Sequence, residues 1–357
     1  MLVPDQTVPV PALTLLEETD LPVVAQGCAV LGAGGGGDPD LALAMARRAI
    51  REHGPVRVLA VDTLDPDDVL MPCGLVGSPT VATERIPSGD EAGVLCGAVE
   101  DRRGAPVVAL MPYEIGGANG LFPIAWAARL GLPLVDADTM GRAFPSLRQL
   151  AVGRGEVSVT PMILTDGRGN ALVIDAADDA WAERLARDSA TSLGGVCAIA
   201  LACMSGREAR AAAVGGSLSR ALVCGAEPDC GGTPLIEGRV QEVARRLDGT
   251  LVGGSATVQG TGADRGRRLR LELQSEFLLA LEDGEIRAAV PDIIAVIAQQ
   301  SRVPLATERL RQGQRVRVVA LEAPATWRTP EGLAAAGPPA FGLDIPYTPI
   351  SAPVHAV

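Results

Sequence analysis

The apolar and polar positions of this 357-residue chain change rhythm about half-way along. In the first half, helical and strand-like patterns alternate. Leu21 to Leu31 reads as a helix. Asp38-Pro39 opens another, with Leu41, Ala44, Met45 and Ala49 on its apolar side. Val56 to Val61, Val69 to Gly77 and Val107 to Met111 read as strands rich in β-branched residues, and Leu134-Val135 begins a further one. Asp90 to Arg103 and Asn119 to Leu130 read as the helices between them. A βαβα order predicts a mostly parallel sheet with helices packed on it.

The character changes near Val157 to Val173. Helices at Ala177 to Ser192 and Ser205 to Val214 flank an apolar strand, Val196 to Leu201. From Thr233 to Ile294 the chain breaks into short strands, and Asp283-Gly284 is a hairpin signal; Arg315 to Leu321 is a last strong strand. The predicted fold class is therefore α/β. An N-terminal mostly parallel α/β domain (1–160) precedes a mixed α+β domain (161–357) with an antiparallel β-subdomain.

One run interrupts this pattern. Leu31-Gly-Ala-Gly-Gly-Gly-Gly-Asp-Pro-Asp40 puts five glycines into six positions, immediately before a helix start capped by Asp38. Such a loop either offers the backbone N–H groups of Gly34, Gly35, Gly36 and Gly37 to an anion or carbonyl oxygen, or is a hinge closed by its own cap. No Lys-Ser or Lys-Thr follows it, so it is not a Walker loop. A helix rather than a strand precedes it, so it is not in the setting of a dinucleotide fingerprint.

Composition removes several chemistries. Every basic residue is Arg, so a Schiff-base lysine, lysine-bound pyridoxal phosphate and a Walker lysine are all excluded; no nucleotide or pyridoxal phosphate is expected. The two histidines, His53 and His355, lie at a helix end and near the C-terminus, which disfavours a Ser-His-Asp triad or a histidine-rich zinc site. A net charge of −12 with no clustered basic face argues against nucleic acid. No apolar stretch has membrane-spanning length, and Met1 to Thr19 lacks the pattern of a signal peptide, so a cytoplasmic protein is expected. The seven cysteines then read as free, mostly buried thiols. Acid–base chemistry falls on carboxylates, Cys, Tyr or water.

Candidate carboxylates sit at predicted strand ends, where parallel sheets bind ligands. Glu84 follows Gly77-Ser78-Pro79-Thr80-Val81. Glu114 precedes Gly116, Gly117 and Asn119, a second glycine turn before a helix. Asp136 and Asp138 are two apart and share a side if extended; Arg142 follows and could grip a substrate carboxylate. Glu84, Glu114, Asp136 and Asp138 are the candidate catalytic residues. Gly34 to Gly37, Asp38, Ser78, Gly116, Gly117, Asn119 and Arg142 are the candidate substrate-binding ones. The structural alternatives are a capping role for Asp138, a solvated turn at Asp136, and an ion pair of Glu114 with Arg142 or Arg85.

These motifs resemble the S-methyl thiohydantoin desulfurase family, formerly a domain of unknown function associated with hydantoinase/oxoprolinase. The glycine run to Pro39, Gly-Ser-Pro-Thr-Val81, Pro-Tyr-Glu-Ile-Gly-Gly-Ala-Asn-Gly120 and Asp-Ala-Asp-Thr-Met-Gly-Arg-Ala-Phe-Pro145 carry the likeness. So do Val-Pro-Asp-Ile-Ile294, Thr-Glu-Arg-Leu-Arg311 and Trp-Arg-Thr-Pro-Glu-Gly-Leu333. The resemblance implies two domains and removal of sulfur from a thiohydantoin-type ring, or action on a related hydantoin or cyclic imide. The setting it implies is degradation of sulfur-containing histidine derivatives. It also leaves room for a divalent metal, zinc foremost, with unknown ligands. The implied partners are a small cyclic substrate, a second copy of the chain, and a hydantoinase/oxoprolinase-type protein; the alternative reading is a non-catalytic accessory or ligand-binding subunit of such a complex. The chain departs from the family pattern at Leu273-Gln-Ser-Glu276 (commonly Phe-Gln-Asn-Glu) and at Arg311-Gln-Gly313 (commonly Arg-Tyr-Gly), which bears on the substrate.

Overall fold

In a computed structural model the chain is described over residues 13–152, 157–201, 204–227, 229–248 and 251–350. His355 and Cys203 lie outside these. Strands β1 (Leu15–Leu16), β2 (Val56–Leu59), β3 (Val69–Gly77), β4 (Val107–Pro112) and β5 (Leu134–Val135) are interleaved, singly or in pairs, with helices α1 (Leu21–Leu31), α2 (Pro39–His53), α3 (Pro79–Glu84), α4 (Glu91–Arg103) and α5 (Phe122–Leu130). Next come β6 (Ala137–Asp138), β7 (Met162–Thr165), β8 (Ala171–Ile174), α6 (Asp179–Ser192), β9 (Val196–Leu201), β10 (Met204–Ser205), α7 (Gly206–Ala212), β11 (Val214–Gly215) and α8 (Ser217–Ala226).

The first sheet runs β1-β2-β5-β4-β3-β9-β7-β8, with β10 also on β3. The neighbours β2, β5, β4 and β3 are parallel, as the βαβα pattern predicts. Beyond β3 the pairing turns antiparallel through β9, β7 and β8. Sheet membership thus continues past residue 160, to the hairpin β7–β8 and to β9. The second sheet is antiparallel, in the order β16-β15-β14-β13-β12-β18-β17. Its strands are β12 (Thr233–Asp248), β13 (Leu251–Gly260), β14 (Arg268–Leu273), β15 (Phe277–Glu282), β16 (Glu285–Ala289), β17 (Ile293–Ala298) and β18 (Arg315–Leu321), and α9 (Pro330–Ala336) follows.

Few aromatics are available, so the core is built from Ala, Val and Leu. It is continuous between the units: Val24, Cys28 and Leu31 of α1 share one buried cluster with Ile293, Ala295 and Ile297 of β17. Three local expectations need correction. The buried face of α2 is Ala42, Ala46, Ala49 and Ile50, with Leu41 and Met45 only partly covered, because small side chains let α2 lie close against α5. The expected helix from Asn119 starts as a 3-10 turn, Gly117–Gly120, and becomes α-helical only at Phe122. Cys224 and Cys230 are not free thiols. The chain turns after α8 and brings their Cα atoms to 4.5 Å, where they form a disulfide. Cys28, Cys73, Cys96 and Cys197 are free and buried. No helix among the described residues is long and apolar enough to cross a membrane.

Candidate active site under the glycine loop

The glycine loop leaves the C-terminus of α1 and enters α2, with Asp38 as N-cap accepting from the Asp40 N–H at 3.0 Å. Both halves of the molecule hold it. The Ala33 and Gly34 carbonyls accept from the N–H groups of Phe277 (2.8 Å) and Thr307 (3.0 Å), and the Gly36 carbonyl accepts from the Ala118 N–H (2.9 Å). The N–H groups of Gly36 and Gly37 have no hydrogen-bond acceptor among the described residues.

Two carboxylates from opposite halves press against this loop. Glu276 comes from the turn between β14 and β15. A Cβ added to Gly35 would lie 2.3 Å from Glu276 Oε1, and one added to Gly36 would lie 2.9 Å from Glu114 Oε1 and 2.2 Å from the Gly116 carbonyl oxygen. Glu114 leaves the end of β4. Its Oε1 accepts from Asn119 Nδ2 at 3.4 Å. The Asn119 amide is itself placed by the Leu75 N–H (2.8 Å) and by the Tyr113 hydroxyl (2.8 Å). Glu114 is 4% exposed and Glu276 2%. Burial pushes Glu114 well above the carboxylate range, and the nearby Glu276 adds to the rise. Burial also raises Glu276, to about 7, against the opposing pull of the Arg142 guanidinium.

Arg142 is fully buried beside them. Its Nη1 donates to the Pro291 and Asp292 carbonyls at 2.7 and 2.8 Å, and Nε donates to the Ala143 carbonyl at 2.9 Å. Behind it, Asp292 accepts from the Ala323 N–H and the Tyr347 hydroxyl. Arg142 Nη2 and Glu276 Oε2 are buried with no partner. Unmade hydrogen bonds of this kind are costly, so two in one cluster mark a place where something polar should sit.

The remaining sequence candidates separate. Asp138 is fully buried and accepts from the N–H groups of Ile115, Met140 and Gly141, while burial raises it to about 7. No helix follows at Gly141, so Asp138 ties turns together rather than capping one. Asp136 turns away from it and caps α8 through the Leu218 and Ser219 N–H groups. Glu84 and Ser78 are exposed at the two ends of α3. Arg85 is committed to the carbonyls of Leu193 and Val196, so it does not pair with Glu114. Gly116 and Gly117 interlock with the glycine loop. Arg142 is spent on main-chain carbonyls, which leaves one nitrogen of the fork expected to grip a substrate carboxylate.

On the outer side of the glycine loop lies a cleft of about 170 Å³. Gly34, Gly35 and Gly37 form its floor, and Ala25, Leu43, Val303 and Pro304 its apolar walls. Arg309 reaches from the second half of the chain to pair with Asp38 and, at 3.3 Å, with Asp40 on the rim. A larger cleft, about 600 Å³, opens beside β8 and holds none of the buried carboxylates.

Family models match the chain as the S-Me-THD-like N-terminal domain over residues 19–176 and the S-Me-THD-like C-terminal domain over residues 177–350. The chain belongs to the S-Me-THD-like family. Among curated proteins, none matches it. An X-ray crystal structure of a protein from Chromobacterium violaceum shares the fold, with a TM-score of 0.76 at 23% identity, covering 94% of this chain and 100% of that one. Within this family framework Glu276 is the residue that sequence reading passed over. It stands in the quoted Leu273-Gln-Ser-Glu276 motif, but nothing local distinguishes it from a turn glutamate.

Proposed function

We propose that this chain is an enzyme that hydrolyses the carbon–sulfur bond of a thiohydantoin-type ring, releasing a thiol or sulfide and leaving a ring carbonyl. The observation that carries this reading is the pairing of two buried carboxylates, Glu114 and Glu276, against the backbone of adjacent glycines, beside a guanidinium with an unpartnered nitrogen. Burial raises both, Glu114 well above the ordinary carboxylate value and Glu276 to about 7, and in this reading Glu276 is the base and Glu114 the proton donor.

An S-methyl ring is the substrate considered. Glu276 takes a proton from water as the water oxygen bonds to the ring carbon that bears sulfur, and passes that proton to the ring nitrogen. Glu114 protonates the sulfur as the C–S bond breaks, then regains a proton from the new hydroxyl as the carbonyl forms. Water has been split between the ring and methanethiol. The Gly37 N–H is the loop donor available to a developing oxyanion or thiolate in the cleft. The loop backbone forms the wall between cleft and carboxylates, so the loop must shift for the reaction to begin.

The residues do not fit the divalent metal that the family resemblance allowed. Among the described residues, no three His, Cys, Asp or Glu side chains come together as ligands, and the nearest cation to the carboxylate pair is Arg142 itself. No step is therefore routed through a metal. The test is incubation with S-methyl thiohydantoins of varied ring substituent, following free thiol with a thiol reagent and the hydantoin product by mass. Release of thiol with matching hydantoin supports the reading. A folded protein that releases none from any member overturns it.

A further inference from the structure

We propose that Arg142 Nη2 and Glu276 Oε2 together read one edge of the substrate ring, a carbonyl beside a ring nitrogen. This rests on the ring hydrolysis proposed above and adds which side of the ring the protein holds. Both atoms are buried and neither has a hydrogen-bond partner among the described residues, so they do not bond to each other. They are nonetheless neighbours, since the guanidinium charge acts on the Glu276 carboxyl. An unrestrained guanidinium would close onto a neighbouring carboxylate. Arg142 is restrained. Its Nε is bonded to the Ala143 carbonyl and its Nη1 to the Pro291 and Asp292 carbonyls, and the guanidinium carbon stands 4.7 Å from the centre of the Phe144 ring. Nη2 is the nitrogen left over, and its direction is set before any ligand arrives. Glu276 lies against Gly35, and Gly35 also lines the outer cleft, so one glycine separates the pair from the cleft.

A group that satisfies both atoms must accept a hydrogen bond from Arg142 and donate one to the ionised Glu276. A substrate carboxylate does only the first, and it sets another negative charge against Glu276. A carbonyl next to a ring N–H does both. In a hydantoin this edge includes the nitrogen between the two carbonyls. In the S-methyl substrate the same nitrogen lies between the carbonyl carbon and the carbon that bears sulfur. It is the nitrogen that receives the proton Glu276 takes from water. Arg142 Nη2 therefore holds the ring carbonyl from the start, whereas the N–H that Glu276 accepts from forms only as water adds. A contact made late in the step favours the transition state over the bound substrate.

Calorimetric titration of the full chain with 1-methylhydantoin and with 1,3-dimethylhydantoin tests the edge apart from turnover. The first ring keeps the N–H between its carbonyls; the second carries a methyl group there. The wild type should bind 1-methylhydantoin at least about tenfold tighter, because a site built to bond a ring N–H rejects the ring that lacks it. The extra methyl also adds bulk, so a variant that changes no ligand completes the test. Arg142→Lys keeps a nitrogen for the Pro291 and Asp292 carbonyls and loses the one aimed at the ring. Where its thermal midpoint shows a folded protein, it should bind 1-methylhydantoin at least about tenfold more weakly than the parent. Equal binding of the two rings by the wild type overturns the proposal, with or without the variant. So does the absence of binding at millimolar concentration, or a folded Arg142→Lys that binds 1-methylhydantoin as the parent does. Equal binding beside thiol release would sink the edge and leave the hydrolysis standing; selective binding without thiol release would do the reverse.

Discussion

The Glu276 carboxylate occupies the space into which a side chain at Gly35 would grow: an added Cβ would stand 2.3 Å from Oε1 and 2.8 Å from Cδ. A residue from the β14–β15 turn thus requires glycine in a loop from the other half of the chain. Gly35→Ala should displace either Glu276 or the loop. We expect overpacking to cost about 1–3 kcal/mol, read as a lower thermal midpoint, together with loss of thiol release in the folded fraction. Full activity in Gly35→Ala would separate the loop from the chemistry.

Glu276 also links stability to pH. Its folded value of about 7 lies above the ordinary 4.5, so between these limits the folded state holds a proton that the unfolded state has released. The contribution is complete below the ordinary value and is lost as pH rises through about 7. Glu114 and Asp138 act with the same sign. The thermal midpoint should therefore fall between weakly acidic and weakly alkaline buffer, and Glu276→Gln should shrink that fall. An unchanged pH dependence in the variant would mean that Glu276 is not buried as described.

Arg142→Gln should destabilise the protein. The Pro291 and Asp292 carbonyls would lose their donor, at about 1–3 kcal/mol for each buried group left unsatisfied. Denaturant titration reads this directly. A variant as stable as the parent would show that Arg142 is not the tie between the halves.

Two candidates from the sequence should prove silent in turnover. Asp136→Ala removes the cap of α8 and should cost about 1 kcal/mol while leaving thiol release per folded molecule unchanged. Glu84→Gln, at an exposed position, should fall within about 0.5 kcal/mol of the parent and keep its activity. A large loss of turnover in either would return that residue to the chemistry.

The strands Val69–Gly77 and Val196–Leu201 stand where the sequence places them, because each is dominated by apolar residues and meets glycine at one end, Gly77 and Gly195. The β-hairpin series after Thr233 is legible by its Gly and Asp-Gly turns, but β12 (Thr233–Asp248) and β13 (Leu251–Gly260) are long strands rather than the short ones expected. Helix α8 gave no such signal. It is short, and its N-terminus is capped by Asp136 from far along the chain rather than by a neighbour. The site was half legible. Glycines beside Glu114 were visible in sequence because both belong to dense local motifs. Glu276 and Arg309 were not, because they meet the loop only when the two halves pack, and no periodicity records that contact.

The pH dependence of thiol release from an S-methyl thiohydantoin tests the role of Glu276 most directly. For the wild type, kcat/KM should climb with pH through about 7 as Glu276 ionises, then fall at higher pH as Glu114 loses its proton. Glu276→Gln, folded by circular dichroism, should lose the rising limb and at least a hundredfold in rate, the lower end of about 10²–10⁴ for a general base. A variant that retains both the rate and the limb near neutrality would contradict the assignment of Glu276 as the base.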